Sequence, residues 1–382
     1  MIPPFSTDPE FRRDPVTGRW VVVAPERSSR PMTLEHAEPH PRVGVGSVPC
    51  PFCPGQERET PNEVYAVRAP GTPPDGPGWR LRVVPNKYPA VRADAGEQDN
   101  LTPQPPSLRG KGEPDAGPTA RRSSLTPPSL LGKGAGGLDS SLFARRPGVG
   151  RHEVVIESAE HLSNPALLPD DLFAGIFLAY RDRLLAFAAD PVLEYAAVFK
   201  NVGAEAGASL GHCHSQIVGT PLVPDLVARE LRGAADHHAR TGRCVFCDIV
   251  AAELADGSRV VAETPHFVAV TAFAGRFAYE TWVLPKAHAA RYETIAADAA
   301  GELAGLMKRV VRALDAALAE PAYNWFLHTA PLRSADVPHY HWHFEVMPRT
   351  SRPAGLEWGA GCFVTTVAPE TAAAELRRAD RM

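Results

Sequence analysis

The sequence predicts an α+β fold in which one module occurs twice, each copy an antiparallel sheet with a single long helix. Three observations carry this. A His-x-His pair closes each half, His212-Cys213-His214 in the first and His341-Trp342-His343 in the second. Each pair follows a Cys-x-x-Cys and a lone histidine: Cys50, Cys53 and His161, then Cys244, Cys247 and His288, with the lone histidine 51 and 53 residues ahead of its pair. An aromatic, strand-like run leads into each pair, EYAAVFKNV and then YNWFLHT.

The elements follow in order. Residues 11–92 read as short strands and turns, with RWVVVAPE and WRLRVVPNKYPAV as strand candidates on their β-branched content. Residues 93–148 are rich in Pro, Gly, Ser and Arg and hold a near-repeat, LTPQPPSLRGKG from Leu101 and LTPPSLLGKG from Leu125. Such a composition buries too little apolar surface to offset the entropy of ordering, so the stretch reads as a disordered surface insertion, with a binding arm as the alternative. RHEVVIES resumes as a strand, and PDDLFAGIFLAYRDRLLAFAAD places apolar residues at helical spacing. EYAAVFKNV, the loop GAEAGASLG and the strand HCHSQIVGTP complete a first half of residues 1–232. In residues 233–382, HFVAVTAFA and ETWVLPK read as strands, AADAAGELAGLMKRVVRALDAALAE as a long amphipathic helix, and YNWFLHT and HYHWHFEVMP as strands. The two sheets either join or pack across a pseudo-twofold axis.

Composition narrows the function. A formal net charge of −4 over 382 residues offers no basic patch for nucleic acid, so a nucleotide partner is expected to be small. Four of the six cysteines form the two Cys-x-x-Cys pairs, which points to metal or redox chemistry rather than a disulfide scaffold. No apolar run approaches 18 residues and the start MIPPFSTDPEFRRDP is polar, so no membrane span and a cytoplasmic location are expected.

Zinc favours four ligands of thiolate and imidazole type, and Cys-x-x-Cys lets two thiolates of one turn reach one ion. Two sets follow: Cys50, Cys53, His161 and His212, and Cys244, Cys247, His288 and His341. One or two structural zinc ions per chain are therefore expected. A redox dithiol lacks the βαβ context it needs. In a strand, residues i and i+2 share a face about 7 Å apart, so His212 can take metal while His214 faces a pocket; joint metal binding by both is the alternative. Asn201, Ser209, Gln216 and the loop N–H groups surround His214 with donors and, Glu205 aside, no acid, which suits an anionic phosphate. Loop capping is the plainer role for Asn201 and Ser209.

DPVTGRWVVVAPER, CPFC, NKYPAV, EVVIES, the Asn-Gly-Ala-Ser-His-x-His-Ser-Gln constellation, CVFC and HYHWHFEVMPR with GLEWGAGCFV resemble, in order, the galactose-1-phosphate uridylyltransferase branch of the histidine-triad superfamily. The resemblance implies a duplicated histidine-triad-like module and a homodimer that takes a nucleotide sugar and a sugar 1-phosphate. It makes His214 the nucleophile of a ping-pong reaction and Gln216 the donor to the transferred phosphoryl group. Arg27 and Arg30 become phosphate-binding residues, with a reach across the dimer interface as one arrangement; solvated surface charges are the plainer reading. Asn86, Asn201 and Ser209 contact the nucleotide and its phosphates, and Glu357 belongs to the sugar-binding segment.

The chain departs from the better-known pattern. Cys213 and Ser215 stand where that pattern has proline and glycine, and Phe363 where it has glutamine. These differences resemble the nucleotide-sugar phosphorylases, in which inorganic phosphate is the acceptor. The leading expectation is a UDP-glucose:hexose-1-phosphate uridylyltransferase, the alternatives an ADP-glucose phosphorylase or a non-catalytic zinc protein that binds nucleotides.

Overall fold

The computed structural model describes residues 8–29, 50–93, 142, 145–335 and 337–381. Arg30, both copies of the near-repeat and most of the 93–148 segment lie outside these residues. The two ends of that segment meet, because Arg92 and Val149 form a β-bridge.

The first half supplies β3 (Tyr65–Arg68), β4 (Trp79–Pro85), β5 (Arg151–Ile156), β6 (Tyr195–Val202) and β7 (His214–Thr220). The second supplies β8 (Val260–Glu263), β9 (Phe267–Thr271), β10 (Thr281–Pro285), β11 (Tyr323–His328) and β12 (His343–Pro348). They form one antiparallel sheet in the order β3-β4-β5-β7-β6-β11-β12-β10-β9-β8. The order runs outward from the centre in the same way on both sides, so the halves do join, through antiparallel β6 and β11, with Phe199 opposite Phe326.

Alternation along each strand divides the sheet into two faces. Val83, Val155, Val198, Ile217, Trp325, Phe344 and Val283 point to one face and share a single core with α1 (Asp170–Ala188) and α4 (Ala297–Leu318), the long helix of each half. The opposite face carries two smaller cores. One gathers Trp79, Val84, Val154 and Ile156 around Phe52; the other gathers Val268, Val270, Trp282 and Leu284 around Phe246. Both phenylalanines lie inside a Cys-x-x-Cys.

The expectation of a single helix per half is too sparse. Between the halves run α2 (Asp225–Thr241) and α3 (Val245–Asp256), followed near the C-terminus by α5 (Gly355–Ala360) and α6 (Pro369–Ala379). Cys244 caps α3 and Cys247 sits in its first turn, so the second Cys-x-x-Cys is a helix start. The segment of β1 (Glu10–Arg13) and β2 (Trp20–Val23) pairs with β13 (Phe363–Thr365) in a separate three-stranded sheet and packs on the second half. Gly233 of α2 permits that docking: a Cβ there would fall 1.8 Å from the Val16 carbonyl oxygen. No described helix is long and apolar enough to cross a membrane.

Trp325 joins the two halves physically. It is fully buried on β11, packs on Phe173 and Phe177 of α1, donates from Nε1 to the Tyr180 hydroxyl at 3.3 Å, and lies under the Lys200 ammonium of β6. Trp325→Ala should cost about 3–5 kcal/mol of stability, the usual range for emptying a buried aromatic site, read as a lowered urea midpoint with unchanged slope. A midpoint within error of wild type would show that the halves are held together elsewhere.

Candidate functional site

The face opposite α1 and α4 receives the chemistry. Val155, Val198 and Ile217 point to the helices, so their neighbours by alternation, His152, Phe199, Asn201, His214 and Gln216, point the other way. Register then sets the distances, with Phe199 directly opposite Gln216.

His212 does not lie on the strand, as the i, i+2 argument required. β7 begins at His214, because Cys213 keeps the register with β5 only through its carbonyl, which accepts from the Glu157 N–H, while its own N–H leaves the ladder for the Leu162 carbonyl. His212 is thereby turned toward the cysteines. Its Nε2 donates to the Ser158 carbonyl at 2.7 Å, and its Nδ1 faces the sulfurs of Cys50 and Cys53 at 3.6 and 3.7 Å. His161 Nδ1 lies 3.3 Å from Cys53 Sγ. The ligating atoms of these four residues all fall within 4.8 Å of one another, and the thiols are free. Burial, with the neighbouring Cys50, pushes the Cys53 thiol up to about 11, a pairing that only a cation would favour as thiolates.

The second set repeats this. His341 Nε2 meets the Pro285 carbonyl at 2.9 Å, while Cys247 Sγ lies 3.5 Å from His288 Nδ1 and 3.6 Å from His341 Nδ1. Cys244, Cys247, His288 and His341 converge as the first four do, and each set has one exposed and one buried histidine. Both sets therefore fit one tetrahedral ion with soft and imidazole donors.

His214 is almost completely buried and its Nδ1 donates to the carbonyl of His212 at 2.7 Å, which leaves Nε2 without a proton. Burial lowers its pKa against the opposing pull of that bond, so the ring is neutral near pH 7. Lys200, itself buried, reaches the His214 carbonyl at 3.0 Å and is held by Glu157 at 2.5 Å, which fixes the start of β7. Phe52 covers the ring at 5.4 Å between centroids.

Gln216 is oriented by a residue that the sequence reading did not single out. The Ala90 N–H donates to His152 Nδ1 at 3.0 Å, so His152 carries its proton on Nε2 and donates it to Gln216 Oε1 at 2.8 Å. The Gln216 amide protons are left free for a ligand. Asn86 stands at the same place, its Nδ2 3.1 Å from His152 Nε2 and its Oδ1 accepting from the Tyr88 N–H. Asn201 joins the group from β6, with its Oδ1 occupied by Asn324.

Three expected residues are not brought to this group by any contact. Ser209 is exposed in the loop after β6. Arg27 is exposed in the turn after β2, on the segment packed against the second half. Glu357 caps its own short helix α5, accepting from the Ala354 N–H at 2.8 Å.

The second half carries the same histidine in a filled setting. His343 Nδ1 meets the His341 carbonyl at 3.1 Å, as His214 meets His212, yet its Nε2 is fully buried without a hydrogen-bond partner. Phe246, Trp282 and His328 pack around it. Glu230 of α2 and Glu345 of β12 complete a buried cluster in which His328 Nδ1 meets Glu230 at 2.9 Å, Tyr340 donates to Glu230 at 3.1 Å, and Arg276 pairs with Glu345. Burial alone would lower the pKa of His328, but Glu230 and Glu345 outweigh it and raise it to about 9. Two carboxylates are thus balanced by a guanidinium and a protonated imidazole.

The model of the galactose-1-phosphate uridyl transferase C-terminal domain matches residues 230–354. An ADP-glucose phosphorylase of Arabidopsis thaliana is 33% identical over 372 residues, covering 97% of this chain and 92% of that protein. A galactose-1-phosphate uridylyltransferase of Thermotoga maritima is 25% identical over 379 residues, covering 97% and 98%. Among solved structures, that of an Arabidopsis thaliana ADP-glucose phosphorylase with bound ADP-glucose superposes with a TM-score of 0.75 at 31% identity, covering 97% of this chain and 99% of the other.

The buried cluster makes stability depend on pH. An unfolded histidine loses its proton near pH 6.5, whereas folded His328 keeps it to about 9, so its contribution is complete below 6.5 and is lost as pH rises through 9. The melting temperature should fall between pH 6.5 and 9, and His328→Gln should be less stable at pH 6.5 with a flatter decline. Equal slopes in the two proteins would rule out a charged His328.

Proposed function

The chain belongs to the galactose-1-phosphate uridylyltransferase family, a family of nucleotidyltransferases, and from that premise we propose that it transfers a nucleotidyl group through a covalent intermediate on His214. One observation carries the reading: the bond from His214 Nδ1 to the His212 carbonyl leaves Nε2 bare and neutral on the strand face that also carries the free amide protons of Gln216.

Such an imidazole attacks without first losing a proton. His214 Nε2 forms a bond to the α-phosphorus of a nucleotide sugar as the bond from that phosphorus to the bridging oxygen breaks, and the sugar 1-phosphate leaves with the electron pair. The acceptor's phosphate oxygen then displaces His214 from phosphorus. Gln216 Nε2 donates to the phosphoryl oxygens as charge gathers on them, while His152 holds the amide in the donating orientation. A proton need not move onto the ring at either step. His343 has no open face on which to do the same, so one site per chain is proposed.

ADP-glucose and inorganic phosphate are the proposed substrates, giving ADP and glucose 1-phosphate. Full-length similarity to the plant phosphorylase, in sequence and in the structure holding ADP-glucose, supports this over the uridylyl transfer that the motifs alone put first. Uridylyl transfer between UDP-glucose and a hexose 1-phosphate remains the second reading, favoured by the full-length match to the bacterial uridylyltransferase. A homodimer in which the exposed Arg27 serves the partner's site is proposed from the family resemblance.

Zinc is proposed for both cysteine–histidine sets. With four protein ligands, a bound ion has no open position and its role is to hold His212, and through it His214, in place.

His214→Asn should abolish turnover, and Gln216→Ala should slow both half-reactions by roughly 10- to 1,000-fold, the usual effect of losing one preorganised donor. ADP-glucose plus phosphate assayed against UDP-glucose plus galactose 1-phosphate decides between the two substrate readings. Near wild-type rates in His214→Asn with either pair would remove the nucleophile assignment.

Wild-type protein should contain one or two zinc ions by elemental analysis, and Cys50→Ser should lose one of them together with several degrees of melting temperature. Unchanged stability in metal-free protein would contradict a structural role.

A further inference from the structure

The second half's own histidine site is filled, yet that half meets the first half's site across the β6–β11 seam. β6 and β11 run antiparallel with Asn201 directly opposite Asn324, on the face that carries His214. Around this pair every donor and acceptor can be assigned without ambiguity. Arg349 can only donate, and its Nε lies 2.6 Å from one end of the Asn324 amide, which must therefore be Oδ1. The other end is Nδ2. The Ala206 carbonyl can only accept, and it lies 2.8 Å from that nitrogen, which agrees. The second proton on Nδ2 goes to Asn201 at 2.7 Å, so Asn201 presents its oxygen there. Its own NH₂ is what remains to meet a ligand.

From this chain of three residues we propose that Asn324, held by Arg349, is a positioning residue for nucleotide-sugar binding, which locks the Asn201 amide with its NH₂ toward the phosphates. This rests on the functional reading above. Asn324 is almost fully buried and so has no ligand contact of its own. An amide free to flip would offer a phosphate its oxygen as readily as its NH₂, and a carbonyl facing an anion is repelled. The loop depends on the same residue. Gly203 and Gly207 hold positive φ of 82° and 88°, and a Cβ at Gly207 would lie 3.7 Å from Asn201 Nδ2, so the backbone of the loop stands close to the amide that Asn324 sets. Arg349 is braced in turn by its N–H to the Ala322 carbonyl at 2.7 Å and by the Phe277 ring at 5.0 Å. The duplicated half, having no open site, thus contributes orientation to the other.

The test is a double-mutant cycle in binding, run on the full-length, metal-loaded chain carrying His214→Asn so that no covalent step intervenes. Asn324→Asp keeps the acceptor for Arg349, deletes the donor, and sets a carboxylate against Asn201 Oδ1, which drives the Asn201 amide to flip. Calorimetry with ADP-glucose and UDP-glucose should show Asn201→Ala and Asn324→Asp each weakening the preferred nucleotide sugar by about 10- to 100-fold, as for one hydrogen bond to a charged group. In the Asn201→Ala background, Asn324→Asp should add less than about a further 2-fold, whereas a merely structural lesion would multiply the losses. Should Asn324→Asp fail to fold, Arg349→Met frees the same amide from its more exposed side and should also lose its effect when Asn201 is alanine. Multiplied losses, or undiminished binding in Asn324→Asp, would overturn this inference alone. A parent protein that binds neither nucleotide sugar would overturn the functional reading and this inference with it.

Discussion

The hydrogen bond from His214 Nδ1 to the carbonyl of His212 is the interaction on which the site depends. His212 is used three times: its Nδ1 faces Cys50 and Cys53, its Nε2 donates to Ser158, and its carbonyl fixes the tautomer of His214. A ring that is doubly anchored cannot rotate, so the carbonyl attached to it cannot drift. The first cysteine–histidine set and the proposed nucleophile are thereby one rigid unit. Lys200 closes that unit from the helix side by holding the His214 carbonyl, with Glu157 neutralising its buried charge.

Duplication preserved the frame and changed the contents. His341 and His343 repeat the pattern of cysteine-facing ring and carbonyl-anchored neighbour, and Phe246 covers His343 as Phe52 covers His214. What differs is the position two residues on, Gln216 in one half and Glu345 in the other. A neutral amide oriented by His152 leaves its NH₂ free for an anion; a carboxylate paired with Arg276 and joined by Glu230, which His328 balances, fills the same place with charge. Strand pairing brings the filled half to the other, since β11 lies directly against β6 and Asn324 meets the loop carrying Ala206.

Much of this was legible in the sequence, for identifiable reasons. The two cysteine–histidine sets were, because Cys-x-x-Cys brings two sulfurs together locally and the histidine spacing repeats. Strands such as β5, β9 and β10 announced themselves through β-branched runs, and α1 and α4 through apolar spacing. His152 was not legible: a lone histidine near the start of RHEVVIES acquires meaning only when the register places it beside Gln216. Asn324 and Arg349 were invisible for the same reason, since their partners are more than 100 residues away or on another strand. The helix α2 is not marked by apolar spacing: DLVARELRGAADHHART is rich in Ala, Leu, Arg and Glu, but it buries only Val227, Glu230 and Ala234, and Gly233, which admits Val16, interrupts it. The strand expected from HCHSQIVGTP starts two residues later, at His214, and His212, outside it, turns toward Cys50 and Cys53.

The proposed mechanism requires a bond between His214 and phosphorus. Intact-protein mass, followed by peptide mapping, should be recorded after incubating metal-loaded wild-type chain with ADP-glucose, and separately with UDP-glucose, in the absence of acceptor. One nucleotidyl group per chain, mapped to His214, removed by added acceptor and absent from His214→Asn, is the predicted result. Turnover with no adduct on any residue under rapid acid quench, or an adduct on His343, would contradict it.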